Sequence, residues 1–285
     1  MHRYLKHPLM VLAFSVFAMQ SAQAASVTLR YGFKDGATYT VKQLYHDVGT
    51  SVTSMNMMGQ QQTYESPMDT THQGSWTAHA KQRGGRIQLS LDYGTQQGGE
   101  RWGSQSGEVG NKMFADSSAI VTLDPQQGFV SVSTKPADDP LIDAIYRARL
   151  AWLPRFPEKP LKVGEGFLHE YTTKGMMMTV KSEDDYTLDE VDKGMAYFTI
   201  ETRQVTIIDY SAMQPEGMPP GMASGMMSNM TLLYKGTGTA VFDLKEGIFI
   251  EREMKTAYST DKPSSGMMSM SMRGTVRDRW EMERR

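Results

Sequence analysis

From Met268 to Met282 the chain alternates without a break. Met268, Met270, Met272, Gly274, Val276, Asp278, Trp280 and Met282 make one set; Ser269, Ser271, Arg273, Thr275, Arg277, Arg279 and Glu281 make the other. A period of two held over this length predicts a long β-strand with one dry and one wet face. Methionine builds the dry face where strands usually carry Val, Ile and aromatics. Asp278 is the ionisable misfit on that face, expected either to pair with an arginine or to mark where the strand leaves the core.

Shorter stretches of the same kind predict the rest of a β protein. Phe33 to Tyr39 is a turn feeding a strand through Val41, Gln43 and Tyr45, which ends at Met55, Met57 and Met58. Thr70 to Lys81 is a second strand, and Arg86 to Tyr93 a third, with Ile87, Leu89, Leu91 and Tyr93 inward. Ile120 to Thr134 is a hairpin turning at Asp124-Pro125-Gln126-Gln127-Gly128. Later, Asp192-Lys193-Gly194 turns into a strand with Ala196, Phe198 and Ile200 on one side, and Thr231 to Asp243 and Ile248 to Tyr258 precede the last strand. Gln96 to Lys112, rich in Gly, Ser and Gln, is expected to be a long loop anchored by Trp102. Met213 to Met230 is an irregular Met/Gly/Pro loop.

Helical spacing occurs once. Asp139 is a good N-cap, Pro140 suits the first helical position, and Leu141, Ile142, Ile145, Tyr146 and Trp152 recur on one face; Pro154, Pro157 and Pro160 then stop the helix. After this connector the pattern restarts. Leu161-Lys162-Val163-Gly164-Glu165-Gly166-Phe167 matches Phe33 to Tyr39, and Asp243…Gly247 echoes Asp124…Gly128. The expected fold is mainly β: long antiparallel strands in a curved sheet or open barrel, two related halves and one central amphipathic helix. The expected divisions are a signal peptide at 1–24, a first half at 25–136, the helix and Pro-rich connector at 137–160, and a second half at 161–285 carrying the 213–230 loop.

Composition then sets the compartment. Arg3 and Lys6 precede an apolar run from Leu9 to Met19, and Ala22-Gln23-Ala24 is a small-x-small cleavage site, the form of a secretion signal. The run is too short to span a bilayer, so no stable membrane anchor is expected after cleavage. With no cysteine there is neither a lipid-attachment thiol nor a disulfide. The periplasm is the expected location. A formal net charge of −2 offers no electrostatic attraction to nucleic acid or an anionic membrane.

Candidate chemistry comes from sulfur. Sixteen of the 24 methionines fall in clusters at 55–58, 176–178, 213–230 and 267–272. Flexible, polarizable thioethers mould to variable apolar shapes. Met176, Met178, Met218, Met222, Met226, Met227, Met230, Met268, Met270 and Met272 are thus the candidates for a surface that binds a hydrophobic small molecule, a lipid or a client protein. Thioethers also select Cu(I) or Ag(I). M-x-M spacing in Met55, Met57, Met58, Met176, Met178, Met268, Met270 and Met272 makes a metal-binding or copper-tolerance protein the alternative. The carrier reading requires no cofactor; the alternative requires Cu(I). Oxidant scavenging by exposed methionines is a third use, and core filling a fourth.

No enzyme is expected. The chain has no Cys nucleophile, G-x-S-x-G elbow, P-loop or H-E-x-x-H. His169-Glu170 is a bare pair, Gly236-Thr237-Gly238 is expected between strands, and the acidic run Asp184, Asp185, Asp189, Glu190 and Asp192 is expected at a solvated hairpin end. The signal peptide, the K-x-G-x-x-aromatic openings, the Met-rich strands and Phe156 to Gly164 together resemble a family of secreted, Met-rich bacterial β proteins built on a domain of unknown function. More distantly, long amphipathic strands with a central helix are similar to the LolA/LolB lipoprotein-carrier fold, which implies a curved antiparallel sheet under a helical lid.

Overall fold

The computed structural model describes residues 26–57, 60–108, 117–135, 153–175, 178–209, 229–264 and 268–285. All regular structure within them is β. The strands of the first half are β1 (Ser26–Val27), β2 (Thr38–Met57), β3 (Gln60–Arg83), β4 (Arg86–Trp102), β5 (Gln105–Glu108), β6 (Ser118–Asp124) and β7 (Gly128–Lys135). Those of the second are β8 (Leu161–Lys162), β9 (Gly166–Lys174), β10 (Met178–Asp192), β11 (Met195–Ile208), β12 (Met230–Asp243), β13 (Ile248–Lys262) and β14 (Met268–Arg284). The predicted signal peptide and the helix at 139–152 lie outside the described residues, as does nearly all of the 213–230 loop.

β1 and β8 form a two-stranded ribbon; the other twelve strands form one antiparallel sheet in the order β7-β6-β4-β3-β2-β14-β13-β12-β11-β10-β9, with β5 on β4. The alternating C-terminal strand is the centre of this path. Met268 to Arg284 pairs with Met55 to Tyr39 on one side, and Arg273 to Glu281 with Ser259 to Glu251 on the other, so β14 joins the two halves. The sheet is not closed into a barrel: β7 and β9 are its edges. They approach each other near one end, where Phe129, Leu153 and Tyr171 line a common crevice.

Local chemistry sets the register. Gly84-Gly85 and Lys193-Gly194 all have positive φ, the backbone of the two-residue turns that match strand twist. Asp124 Oδ1 accepts the N–H groups of Gln126 and Gln127, and Asp243 Oδ1 those of Lys245 and Glu246, which shapes two further hairpins alike. The two K-x-G openings are also made alike. Gly36 N–H bonds Ala80 and Ala80 N–H bonds Ala37; Gly164 N–H bonds Leu188 and Leu188 N–H bonds Glu165.

The apolar core fills one end of the concave face. Residues 27–33 and 153–161 contribute Leu29, Tyr31, Phe33, Leu153 and Phe156 to it. Tyr31 stacks on Phe156 at 4.5 Å and donates its hydroxyl to Pro154 O at 3.1 Å. Phe156 in turn meets Phe167, Phe242 and Phe249 at 5.3–6.2 Å. Inward residues of the first half, Tyr39, Val41, Ile87, Leu89, Leu91, Val121 and Leu123, pack in the same cluster.

The opposite face is built for water. Arg277 pairs with Glu253 at 3.0 Å, Arg279 with Glu251 and Glu281 at 3.1 and 2.8 Å, and Lys42 with Glu283 at 3.5 Å.

Two local expectations are corrected. Residues 96–108 are not a loop, because β4 runs on to Trp102 in register with Met68 and β5 folds back on it. Polar, glycine-rich sequence forms this ribbon by backbone pairing to a long neighbour, without an apolar face to announce it. Gly236-Thr237-Gly238 lies in mid-strand, opposite Thr202 to Ile200 on one side and Thr256 to Met254 on the other.

Candidate functional site: a cleft on the concave face

Beyond the apolar end, the concave face opens into a cavity of about 560 Å³. Its wall crosses the junction of the halves. Gln43, Tyr45 and Asp47 come from β2, His72 and Trp76 from β3, Val276, Asp278 and Trp280 from β14, and Arg252 and Met254 from β13. Tyr234, Thr202, Gln204, Asp184, Val180, Met178 and Tyr171 complete it from the second half. Strand alternation puts these residues on one face, and the register brings Tyr45 beside both His72 and Asp278, and Met254 beside Asp278.

Three carboxylates enter this face, each held differently. Asp184 is 1% exposed; it accepts Thr202 Oγ1 at 2.6 Å, Ser182 Oγ at 3.1 Å and Arg252 Nη2 at 3.4 Å. Asp278 accepts Gln43 Nε2 at 2.7 Å. Asp47 accepts the Tyr258 hydroxyl at 3.0 Å and that of Tyr45 at 3.5 Å. Burial pushes the Asp47 carboxyl above its ordinary 3.8, against the opposing pull of the two phenols.

A pair of glycines makes the Tyr258 contact. Gly49 on β2 and Gly274 on β14 are register partners, and a Cβ on either would lie 2.6 Å from the Tyr258 hydroxyl. Their missing side chains leave a slot in which the phenol crosses to Asp47. Tyr234 lies against Tyr258 with ring centres 5.2 Å apart. Burial, then the Asp47 charge, pushes the Tyr234 hydroxyl up to about 12; burial likewise raises Tyr45 and Tyr258. All three phenols are therefore protonated at neutral pH.

Of the methionines singled out in the sequence, Met178 lines the cavity. Met268, Met270 and Met272 share the inner face of β14 farther along the strand and are half-buried, and Met55 sits directly opposite Met268. Met230 is fully buried and presents no surface. β10 begins at Met178, whose carbonyl accepts the Gly175 N–H at 2.7 Å. Met58, Met176, Met218, Met222, Met226 and Met227 lie outside the described residues, and the Met57 side chain is likewise undescribed. Among the described residues no group of three or more His, Asp or Glu is arranged to hold a metal ion.

Apart from Asp278, the polar members of the cleft were not singled out from sequence. Asp184 belongs to the acidic run expected in solvent, yet alternation with Ser182, Tyr186 and Leu188, all buried, points it inward. Arg252, in one set with Met254 and Tyr258, carried the same signal. Asp278 does face inward, beside Gln43 and within electrostatic reach of Arg252. His169 lies on the edge strand β9 and is buried, and its Nδ1 accepts the Arg155 N–H at 3.2 Å.

The sequence matches no family model and no curated protein. Among solved structures it is similar to lipovitellin, in a structure of its lipid–protein interactions, at 10% identity and a TM-score of 0.45 over 88% of this chain. The chain spans only 25% of that lipovitellin chain. It is also similar to an outer membrane channel of Pseudomonas putida F1, at 10% identity and a TM-score of 0.29, over 90% of this chain and 98% of the channel. Such scores describe a broad likeness of β architecture and bear on neither ligand nor activity. Neither is a LolA- or LolB-type carrier.

Proposed function

We propose that this chain is a non-enzymatic periplasmic binding or carrier protein that holds an amphiphilic ligand in the concave cleft. The observation that carries the reading is one cavity of about 560 Å³ in which an apolar wall (Trp76, Trp280, Val276, Val180, Met178, Met254) faces a larger set of threonines, tyrosines, glutamines and charged groups, the mixed lining an amphiphile needs. Ligand sites typically occupy about 300–1,000 Å³ and combine an apolar lining with a few placed polar atoms. The half-buried Met268, Met270 and Met272 extend the apolar face along β14, where soft side chains suit a tail of variable length.

Gly74 supplies the test. It lines the cavity, and a Cβ there meets nothing within 4 Å. Gly74→Leu should fill the cleft and leave the fold intact. Delipidated protein titrated with dodecyl maltoside below its micelle concentration should show a saturable change in tryptophan fluorescence, lost in Gly74→Leu. No saturable change, or one indifferent to Gly74→Leu, would refute the reading.

A second reading rests on the β14–β2 register. Met55 and Met268 are cross-strand partners and Met270 follows on the same face, which brings three thioethers into one patch. Cu(I) is the ion such a patch would select. Anaerobic Cu(I) titration against a chromophoric chelator separates the two, with Met268→Leu and Met270→Leu as controls. Competition abolished by the Leu variants supports copper; absence of competition removes it.

A further inference from the structure

We infer that the cleft takes an organic cation, an ammonium group on an apolar body, seated against Asp47 beside Tyr45 and Tyr234. This rests on the cleft reading above and adds to it the sign of the ligand's head group.

The charges lining the cavity do not balance. They are Asp47, Asp184 and Asp278 against Arg252. Arg252 and Asp184 bond each other in a buried setting with side-chain exposures of 10% and 1%, so this guanidinium is held by the protein's own carboxylate and is not presented to a ligand. Asp47 has a different environment. Its hydrogen-bond partners, Tyr258 at 3.0 Å and Tyr45 at 3.5 Å, are both neutral phenols that fix the carboxylate without neutralising it. His46, its chain neighbour, belongs to the outer face and bonds Asp69 at 3.2 Å.

The groups around Asp47 are those that attract a cation. Tyr45 and Tyr234 line the cavity, Tyr45 with its ring 5.8 Å from that of His72 and Tyr234 backed by the buried Tyr258 ring at 32°. An ammonium is attracted to such faces by the ring quadrupoles, and more strongly by a nearby carboxylate. Val276 and Met254 lie close by to receive the carbon substituents. An anionic head would meet Asp47 and Asp278 with like charge. A neutral polyol would bond the phenols and leave the carboxylate charge unmet.

The probes are dodecyltrimethylammonium, dodecyl maltoside and dodecyl sulfate, each below its micelle concentration, titrated into the full mature chain with tryptophan fluorescence as readout. The ammonium probe should bind roughly tenfold or more tighter than the maltoside, and the sulfate weakest. Asp47→Asn should weaken ammonium binding about tenfold and erase its advantage over the maltoside. Added salt should weaken ammonium binding more than maltoside binding, a readout that needs no variant. Equal affinity for ammonium and maltoside, tighter sulfate, or a uniform loss in Asp47→Asn would overturn the cation and leave the cleft standing. Failure of all three probes would remove the cleft itself.

Discussion

Removing the Asp184 carboxylate should be the most damaging polar substitution on the concave face. Asp184 and Arg252 are 1% and 9% exposed and meet at 3.4 Å. At an effective dielectric of ~20 that separation corresponds to about 5 kcal/mol of attraction, most of it offset by the cost of removing both charges from water. Deleting one partner is not offset, because the other stays buried and charged. Asp184→Ala strands Arg252 and removes the acceptor of Thr202 at 2.6 Å and of Ser182 at 3.1 Å. A loss of about 3–5 kcal/mol follows. Urea unfolding should show the midpoint lowered by about 1–1.5 M, if m lies near the top of the usual ~1–3 kcal/mol/M range. Arg252→Met alone should cost a similar amount. The double variant Asp184→Leu with Arg252→Met should cost clearly less than the sum, since it leaves no unpaired charge. A loss under about 1 kcal/mol in Asp184→Ala, or strict additivity in the double variant, would refute the reasoning.

Other perturbations are graded by the same packing. Gly274→Ala places a Cβ 2.6 Å from both the Tyr258 hydroxyl and Val48 O, and should cost about 1–3 kcal/mol in chemical denaturation, more than the ~1 kcal/mol of Tyr258→Phe. Asp47 is raised above 3.8 by burial, so its ionised form disfavours folding at neutral pH, and that cost is lifted as pH falls through the raised value. Wild type should therefore gain stability relative to Asp47→Asn on acidification toward pH 4, measured by urea melts at several pH values; a relative loss would contradict the sign. Phe156→Ala removes the ring that joins Tyr31, Phe167, Phe242 and Phe249, at a cost of about 3–5 kcal/mol in calorimetry or denaturation. Met230→Ala, fully buried, should cost about 2–5 kcal/mol, whereas Met270→Leu on the half-buried strand face should cost under ~1.5.

Strand periodicity carried much of the fold in plain view. Ile87, Leu89 and Leu91 are all buried as their alternation requires, and the Asp124 and Asp243 turns work through side-chain acceptance of two successive N–H groups. The 96–108 ribbon was hidden because its order comes from backbone pairing with β3, which glycine and glutamine do not advertise. The cleft was hidden for a related reason. Asp184 and Arg252 are 68 residues apart, and they meet because β10 and β13 flank β11 and β12 on a curved face. Each betrays itself only as a charge in an otherwise dry alternate set, as Asp278 did. Methionine content does not distinguish fully buried Met230 from half-buried Met268; only the register of β14 with β2 does.

The most direct test of the cleft is contact between a bound alkyl chain and the tryptophans of its wall. Trp76 and Trp280 are 7% and 2% exposed and both line the cavity. A bromine-labelled alkyl amphiphile should quench them saturably at one ligand per chain, and the quenching should largely vanish in Trp76→Phe with Trp280→Phe. Saturable quenching that survives the loss of both tryptophans would place the ligand elsewhere, and absence of saturable quenching would contradict the account.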